Sequence, residues 1–139
     1  MITVFLDSNV LISSLIGAAN SAPVILVDWL ASSRAATLVT GRCCLEEIER
    51  NLATKLPRAQ PLWQQFMRAS GIRVVRCPRK IIAGINAKDV PVVAASIAAA
   101  ATHFVTGDKR LLAEMRAANT KLPPALTPRE MLEALLTYQ

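Results

Sequence analysis

The stretch VFLDSNVL, residues 4–11, decides the fold of this chain, because an apolar run is followed there by an acidic residue and then by the start of a predicted helix. Residues 2–6 predict a buried strand, since short continuous apolar runs are typical of strands that are covered on both faces. Asp7 follows that strand directly, and Ser8 or Asn9 can cap a short helix. A strand that leads straight into a helix is the first half of a βα unit, which indicates the α/β class.

The same alternation of strand and helix continues to the end of the chain. Further strands are predicted over residues 36–40, 72–75 and 103–106, with helices between them. Thr127 is predicted to cap a last helix over residues 128–136. Repeated βα units with continuous apolar strands predict a three-layer α/β/α sandwich around a central parallel sheet. A length of 139 residues suits one compact domain, so a single domain over residues 1–139 is expected.

Composition excludes several classes of protein. Hydrophobic residues make up 53% of the chain, which is too apolar for an intrinsically disordered protein. No run approaches the roughly 18 apolar residues of a membrane-spanning helix, and no basic leader with a cleavage site is present, so neither a membrane span nor a secretory signal is expected. The three cysteines (Cys43, Cys44 and Cys77) lack Cys-x-x-Cys spacing and are predicted to be reduced, mostly buried thiols of a cytoplasmic protein.

The chain is also basic, with 16 Lys and Arg against 10 Asp and Glu and a formal net charge of +6. A basic surface favours a polyanionic partner, but composition does not separate RNA from DNA or from an acidic protein. Arg42 follows the second predicted strand, while Lys109 and Arg110 follow the fourth, at the end of the sheet where ligands bind. These three residues can draw in a polyanionic backbone, or they can be solvated charges that offset nearby acids.

Three acidic residues stand beside the predicted strands. Asp7 follows the first strand, Asp108 follows the fourth, and Asp89 begins the helix that leads into the fourth. Carboxylates gathered at the carboxyl edge of a parallel sheet repel one another unless a cation neutralises them, and Mg²⁺ or Mn²⁺ prefers oxygen ligands. Such a site suits the hydrolysis of a phosphodiester by metal-activated water. Each of the three residues can equally serve as a helix N-cap.

A fourth carboxylate is harder to choose, because Glu46, Glu47 and Glu49 share one predicted helix. The apolar stripe of that helix leaves Glu46 and Glu47 on opposite flanks, with Glu49 nearer the stripe. Periodicity does not choose among them, and at least two of the three are expected on a solvated flank.

The order of these pieces resembles the PIN-domain family, small nucleases that include the VapC-like toxins of toxin–antitoxin pairs. The resemblance spans nearly the whole chain. It rests on VFLDSNVL at residues 4–11, on Glu47 and Ile48 followed by Leu52, on Asp89 before an alanine-rich helix, on VTGDKRLL at residues 105–112 and on TPREML at residues 127–132.

The resemblance implies an endoribonuclease that depends on Mg²⁺ or Mn²⁺. Its metal-site carboxylates would be Asp7, Glu47, Asp89 and Asp108, with Asn9 and Thr106 as polar groups that order water or orient the carboxylates. Many relatives carry a further acid just before the third carboxylate. This chain has Asn86 and Lys88 there, so weaker metal binding is expected.

The resemblance also implies partners. These are an RNA substrate, an antitoxin protein that covers the acidic cleft, and a second copy of the chain in a homodimer. The apolar helices around Trp29 and Trp63 are the candidate dimer surfaces.

Two other functions remain open. A phosphotransferase of the haloacid-dehalogenase type would use Asp7 as its nucleophile, but that chemistry usually needs a second Asp where this chain has Asn9. A PIN-like binding module without catalysis is the other alternative. His103, the only histidine, begins a strand at the end opposite the acids, so a structural role is expected and a Ser-His-Asp arrangement is excluded.

Overall fold

A five-stranded parallel sheet forms the centre of the structure, a computed structural model that describes residues 1–118 and 120–137. The strands are β1 (Ile2–Leu6), β2 (Ala36–Gly41), β3 (Arg73–Val75), β4 (His103–Val105) and β5 (Ala125–Leu126). They lie in the order β3-β2-β1-β4-β5, and every neighbouring pair is parallel.

The helices follow the strands in the predicted alternation. They are α1 (Ser8–Ile16), α2 (Ala22–Ser32), α3 (Arg42–Lys55), α4 (Gln60–Ala69), α5 (Val90–Ala98), α6 (Lys109–Ala117) and α7 (Pro128–Leu136), with a 3-10 turn at Pro57–Ala59. Thr127 caps α7 as predicted, in a capping box in which its hydroxyl accepts from the Glu130 N–H and the Glu130 carboxylate accepts from the Thr127 N–H.

Helices cover the sheet on both faces, which confirms the predicted α/β/α sandwich. Val4 and Leu6 of β1 pack into a core with α1, α2, α3, α4 and α7. Phe5 points to the opposite face, where it stacks on Phe104 of β4 at a ring distance of 5.3 Å and packs against α5 and α6. Because successive side chains of a strand alternate between faces, one apolar run supplies both cores.

The sheet changes direction at β1, and this position decides where a site can form. The chain runs from β1 outward through β2 to β3, and then returns to the other side of β1 for β4 and β5. In open α/β sheets, ligands bind beyond the carboxyl ends of the strands at such a switch point. Asp7 and Asp108 follow the two strands that meet there.

Two local expectations differ from the structure. Asp7, and not Ser8 or Asn9, caps α1, because its extended backbone lets its carboxylate accept from the Ser8 N–H. Strand β5, which is only two residues long and pairs with β4, was not predicted. A strand that short carries no periodic pattern.

The prediction of three reduced cysteines is wrong for two of them. Cys43 and Cys77 form a disulfide with a Cα–Cα distance of 6.1 Å, and both are half-buried. The register explains the pairing, because Gly41 of β2 lies opposite Val75 of β3 and each cysteine stands two residues further on. Cys44 is the buried free thiol, and burial, with a smaller contribution from the Asp7 charge, raises its pKa to about 12.

Of the two tryptophans whose helices are candidate dimer surfaces, Trp63 lies in the core of the chain itself, so a surface on α4 would have to use other residues. Trp63 is 4% exposed and stacks on Phe66 at a ring distance of 5.7 Å. Trp29, by contrast, is 45% exposed. As for membranes, none of the helices in residues 1–118 and 120–137 has the length and hydropathy needed to cross one.

Candidate active site

Asp7 is the buried centre of the acidic edge. It follows β1 directly, and its N–H donates to the Val105 carbonyl at 3.0 Å, which ties it to the end of β4. Its Oδ1 accepts from the Ser8 N–H at 2.8 Å. Its Oδ2 accepts from the Thr106 hydroxyl at 2.9 Å and from Asn9 Nδ2 at 3.1 Å. The carboxylate is therefore fixed by hydrogen bonds from both sides of the switch point.

Burial raises the pKa of the Asp7 carboxyl above its ordinary value of 3.8. Hydrogen bonds from Thr106 and Ser8 oppose this shift of the pKa, while the nearby charges of Glu47 and Asp89 add to it. A carboxyl that is hydrogen-bonded and yet disfavoured as an anion lacks positive charge nearby. A cation at this edge would remove the penalty.

Thr106 and Asn9 join the two halves of the site. The Thr106 hydroxyl accepts from the Asp108 N–H at 3.0 Å, in addition to its bond to Asp7. The Asn9 carbonyl accepts from the Gly107 N–H at 2.8 Å. The loop after β4 is thereby held against the start of α1, and both residues contact Asp7 as the sequence suggested for neighbouring polar groups.

Glu47 is the one of the three candidate glutamates that reaches this network. Its Oε1 accepts from the Ser8 hydroxyl at 3.0 Å, and its Oε2 accepts no hydrogen bond from the described residues. Glu46 and Glu49 lie instead along a shallow surface with Arg50. Only the position of α3 relative to α1 separates the three, and helical periodicity does not contain that information.

Asp108 lies at the start of α6 and has one carboxylate oxygen left for a ligand. Its Oδ1 accepts from the N–H groups of Arg110 and Leu111 at 2.9 and 3.1 Å, whereas its Oδ2 has no hydrogen-bond donor in the part of the chain that the structure describes. The residue borders an open groove of about 380 Å³. The other residues around that groove are Asn9, Val10, Ser13, Pro23, Gly107 and Pro128.

Asp89 is paired with a cation of the chain itself. It stands at the N-cap position of α5, but its side chain makes no capping hydrogen bond. Instead, its Oδ2 lies 3.0 Å from the Arg110 guanidinium, which also lies 3.7 Å from Glu114. Of the two roles left open for Arg110 in the sequence analysis, an RNA contact or a charge that offsets nearby acids, the pair with Asp89 corresponds to the second. The sequence did not identify the partner, because two residues 21 positions apart on different helices leave no local pattern.

The donor chemistry of these residues fits a hard divalent cation, since every candidate ligand is an oxygen. These candidate ligands do not converge on one common position. Across residues 1–118 and 120–137, no three acidic, histidine or cysteine side chains are gathered closely enough to hold an ion as they stand. An ion bound by Asp89 would compete with the Arg110 guanidinium for the charge of that carboxylate.

The remaining candidates lie in several environments. His103 begins β4, where its Nδ1 lies 2.9 Å from the Thr102 hydroxyl and burial lowers the pKa of its ring. Arg42 and Lys109 are exposed and form no ion pair with other described residues.

A larger groove of about 580 Å³ lies between α2 and α4. Asp28 is the single acid among the residues that line this groove, so the groove offers no comparable acidic cluster.

Comparison with known proteins gives a likeness of fold. No family model and no curated protein matches the sequence. Among solved structures, the chain is similar to a chain in the crystal structure of VapBC2 from Rickettsia felis bound to a DNA fragment from their promoter. The TM-score is 0.65 at 14% sequence identity, over 91% of this chain and 98% of that one. The protein is thus an α/β sandwich with a central parallel sheet, and it shares its fold, consistent with a PIN-like architecture, with a chain of that VapBC2 structure.

Proposed function

We propose that this chain is a divalent-metal-dependent endoribonuclease that hydrolyses RNA phosphodiester bonds. The observation that carries the proposal is Asp7, a buried carboxylate at the switch point of the sheet with Glu47 and Asp89 close enough to raise its pKa further. A protein of net charge +6 that concentrates acids at one edge suits a polyanionic substrate held over a metal site.

Four carboxylates would hold the ion, directly or through water. They are Asp7, Glu47, Asp89 and Asp108. Bound Mg²⁺ or Mn²⁺ would supply an activated water and stabilise the charge on the departing oxygen. Thr106 and Asn9 hold the Asp7 carboxylate in one orientation by donating to Oδ2. Arg42 and Lys109, exposed at the same edge, are placed to attract the RNA backbone.

The toxin role is part of the same proposal. The fold likeness to a chain of the VapBC2 structure supports a toxin component of a toxin–antitoxin pair, with an antitoxin protein as partner. An antitoxin that covers the acidic edge would exclude RNA from it. Homodimerisation and a cytoplasmic location belong to this proposal as well.

Cleavage of a mixed RNA pool with Mg²⁺ or Mn²⁺ tests the activity. Asp108→Asn is a sharp variant, because Asn also caps helices well and the substitution removes the charge while it keeps the start of α6. Glu47→Gln and Glu46→Gln form a matched pair on the same helix. We expect cleavage to fall in Asp108→Asn and Glu47→Gln and to remain in Glu46→Gln. Equal cutting by all of them would overturn the assignment.

A non-catalytic binding module is the second candidate, and one observation favours it. The Arg110 guanidinium already neutralises Asp89, so the acidic edge is partly satisfied without a metal. Titration with Mn²⁺ separates the two functions: weak binding without cleavage of any RNA supports the module.

The geometry does not favour the phosphotransferase, because both Asp7 oxygens accept hydrogen bonds and Asn9 stands at the acid/base position. Trapping a phospho-aspartate at Asp7 would support it.

A further inference from the structure

The Cys43–Cys77 disulfide lies at the same edge of the sheet as the acidic residues. Cys43 is in the first turn of α3, and Cys77 stands two residues beyond the end of β3. Both residues are half-buried and neither belongs to the fully buried core. Their packing is close: a Cβ added at Gly41 would lie 2.7 Å from Cys77 Sγ.

The two sulfurs are not chemically equivalent. Cys77 Sγ accepts a hydrogen bond from the Cys43 N–H at 3.2 Å, at the N-terminus of a 14-residue helix. Arg76 and Arg79 flank Cys77 along the chain, and both are exposed. Helix N-termini and neighbouring arginines stabilise a thiolate. Cys43 has the same helix N-terminus and its own neighbour Arg42, so the hydrogen bond that Cys77 Sγ accepts is what makes Cys77 the better leaving sulfur.

The disulfide also fixes the start of a basic segment. Arg76, Arg79 and Lys80 follow the end of β3, and the bond ties this segment to the start of α3 beside Arg42. We call these four residues the basic strip. All four are exposed, and none forms an ion pair with another residue that the structure describes. Exposed cations on two segments that a disulfide links are a suitable electrostatic contact for a nucleic-acid backbone.

We propose that the Cys43–Cys77 disulfide is a reversible redox switch that holds the basic strip in place for RNA binding. The identification of the polyanion as RNA rests on the function proposed above. In reducing compartments, disulfides are mostly transient and redox-sensing. A reversible bond of this kind suits the cytoplasmic location that is part of the function proposed above.

Reduction follows ordinary thiol–disulfide exchange with a small cellular thiol of the glutathione class. The thiolate attacks Cys43 Sγ, the S–S bond breaks, and Cys77 leaves as a thiolate. A second thiol attacks the mixed disulfide and releases Cys43. Two small thiols become one small disulfide, and their two protons pass to the cysteines or to solvent. The link across a sequence separation of 34 is then lost, and the segment that begins at Arg76 gains freedom relative to α3.

The exchange chemistry is tested without RNA. The protein is equilibrated in glutathione buffers of graded potential, and free thiols are labelled with iodoacetamide and assigned by peptide mass spectrometry. We expect Cys43 and Cys77 to be reduced together while the circular dichroism of the fold is retained. In the reduced protein Cys77 should label faster than Cys43, and buried Cys44 should stay unlabelled. A bond that opens only when the protein unfolds would make the disulfide purely structural and overturn the proposal.

Binding is tested in EDTA, so that cleavage does not interfere, with a fluorescein-labelled single-stranded RNA. We expect the reduced protein to bind roughly threefold to tenfold more weakly than the oxidised protein, with a shallower salt dependence. The double variant Cys43→Ser/Cys77→Ser is the control for the reductant. It should bind like the reduced protein and give the same affinity with and without dithiothreitol.

Equal affinity of the oxidised and reduced wild type overturns the inference, as does an absence of RNA binding in both states. The inference is also overturned when dithiothreitol changes the RNA affinity of the double variant. The proposed nuclease activity is judged separately, by metal-dependent cleavage. Wild-type protein that cleaves RNA equally well in both redox states would leave the proposed function standing and remove the switch alone.

Discussion

At the scale of single residues, Asp7 combines two opposing requirements. Its carboxylate caps α1 and organises the network around Thr106, but its burial disfavours the charged form. Residues that carry such a penalty are typical of functional sites, where stability is sacrificed for a charge in the right place.

Asp7→Asn should therefore separate stability from activity. Because burial holds the folded-state pKa of Asp7 above its ordinary value of 3.8, the wild type loses stability as the pH rises through that folded-state pKa. In EDTA, the difference obtained by subtracting the Tm of the wild type from the Tm of Asp7→Asn should therefore increase from acidic to neutral pH. Metal-dependent cleavage should fall at least roughly 100-fold. A Tm difference that stays constant with pH would show that the Asp7 charge is not penalised.

Arg110→Gln tests whether the internal cation competes with a metal. Removing the guanidinium frees Asp89, so Mn²⁺ should bind roughly twofold to fivefold more tightly, the range expected for one partly exposed ion pair. The Tm should change little. Lys109→Gln is the matched control, since the adjacent cation is exposed and makes no ion pair with the described residues. Equal Mn²⁺ affinities of the two variants, measured calorimetrically, would contradict the competition.

At the scale of elements, the sequence was most informative where one element carries its own signal. The apolar run of β1 and the capping box at Thr127 are local patterns, and both structures form as predicted. Three of the four candidate carboxylates are singled out by their places beside predicted strands, whereas Glu47 comes from the resemblance. The choice of Glu47 among its neighbours depends on how α3 packs near Ser8. The Cys43–Cys77 bond depends on which strands are neighbours, which no spacing along the chain reveals.

Gly41→Ala tests the close packing where β2 meets α3. The new methyl group would lie 2.7 Å from Cys77 Sγ and 3.3 Å from Ala95 Cβ, and a disulfide sulfur cannot rotate away. We expect the free energy of unfolding of the oxidised protein to fall by roughly 1–3 kcal/mol.

The background Cys43→Ala/Cys77→Ala is the control for Gly41→Ala, because it removes the sulfur that the methyl group would meet. In that background, Gly41→Ala should lower the free energy of unfolding by clearly less, as measured by urea unfolding. An equal loss in both backgrounds would mean that the clash with Cys77 is not the cause.

At the scale of the whole molecule, an apolar patch between α2 and α7 is left uncovered. Trp29 is 45% exposed, Ile25 is 43% exposed and Leu136 is 75% exposed, and they surround a small cavity with Leu132 and Leu135. Contiguous exposed apolar residues of this kind are typical of interaction surfaces. Of the two surfaces considered for the homodimer that the resemblance implies, this patch is the one whose tryptophan is exposed.

Trp29→Glu should weaken self-association, because a charge in the patch would have to be desolvated on dimer formation. Light scattering coupled to gel filtration should show a shift towards monomer. Leu62→Glu is the control, since Leu62 is 50% exposed on α4, away from the patch. A dimer that persists in Trp29→Glu, or that is lost equally in Leu62→Glu, would place the interface elsewhere.

The hydrogen bond from Thr106 to Asp7 joins residues 99 positions apart, and it has a consequence for the protein during its own synthesis. Translation delivers Asp7 almost at once but Thr106 and Asp108 only after three-quarters of the polypeptide has been made. A nascent chain that has not reached β4 already carries Asp7, Glu47 and Asp89 but lacks Thr106 and Asp108. The proposed site is therefore incomplete until late in synthesis, and a product that terminates before β4 would lack the same two residues.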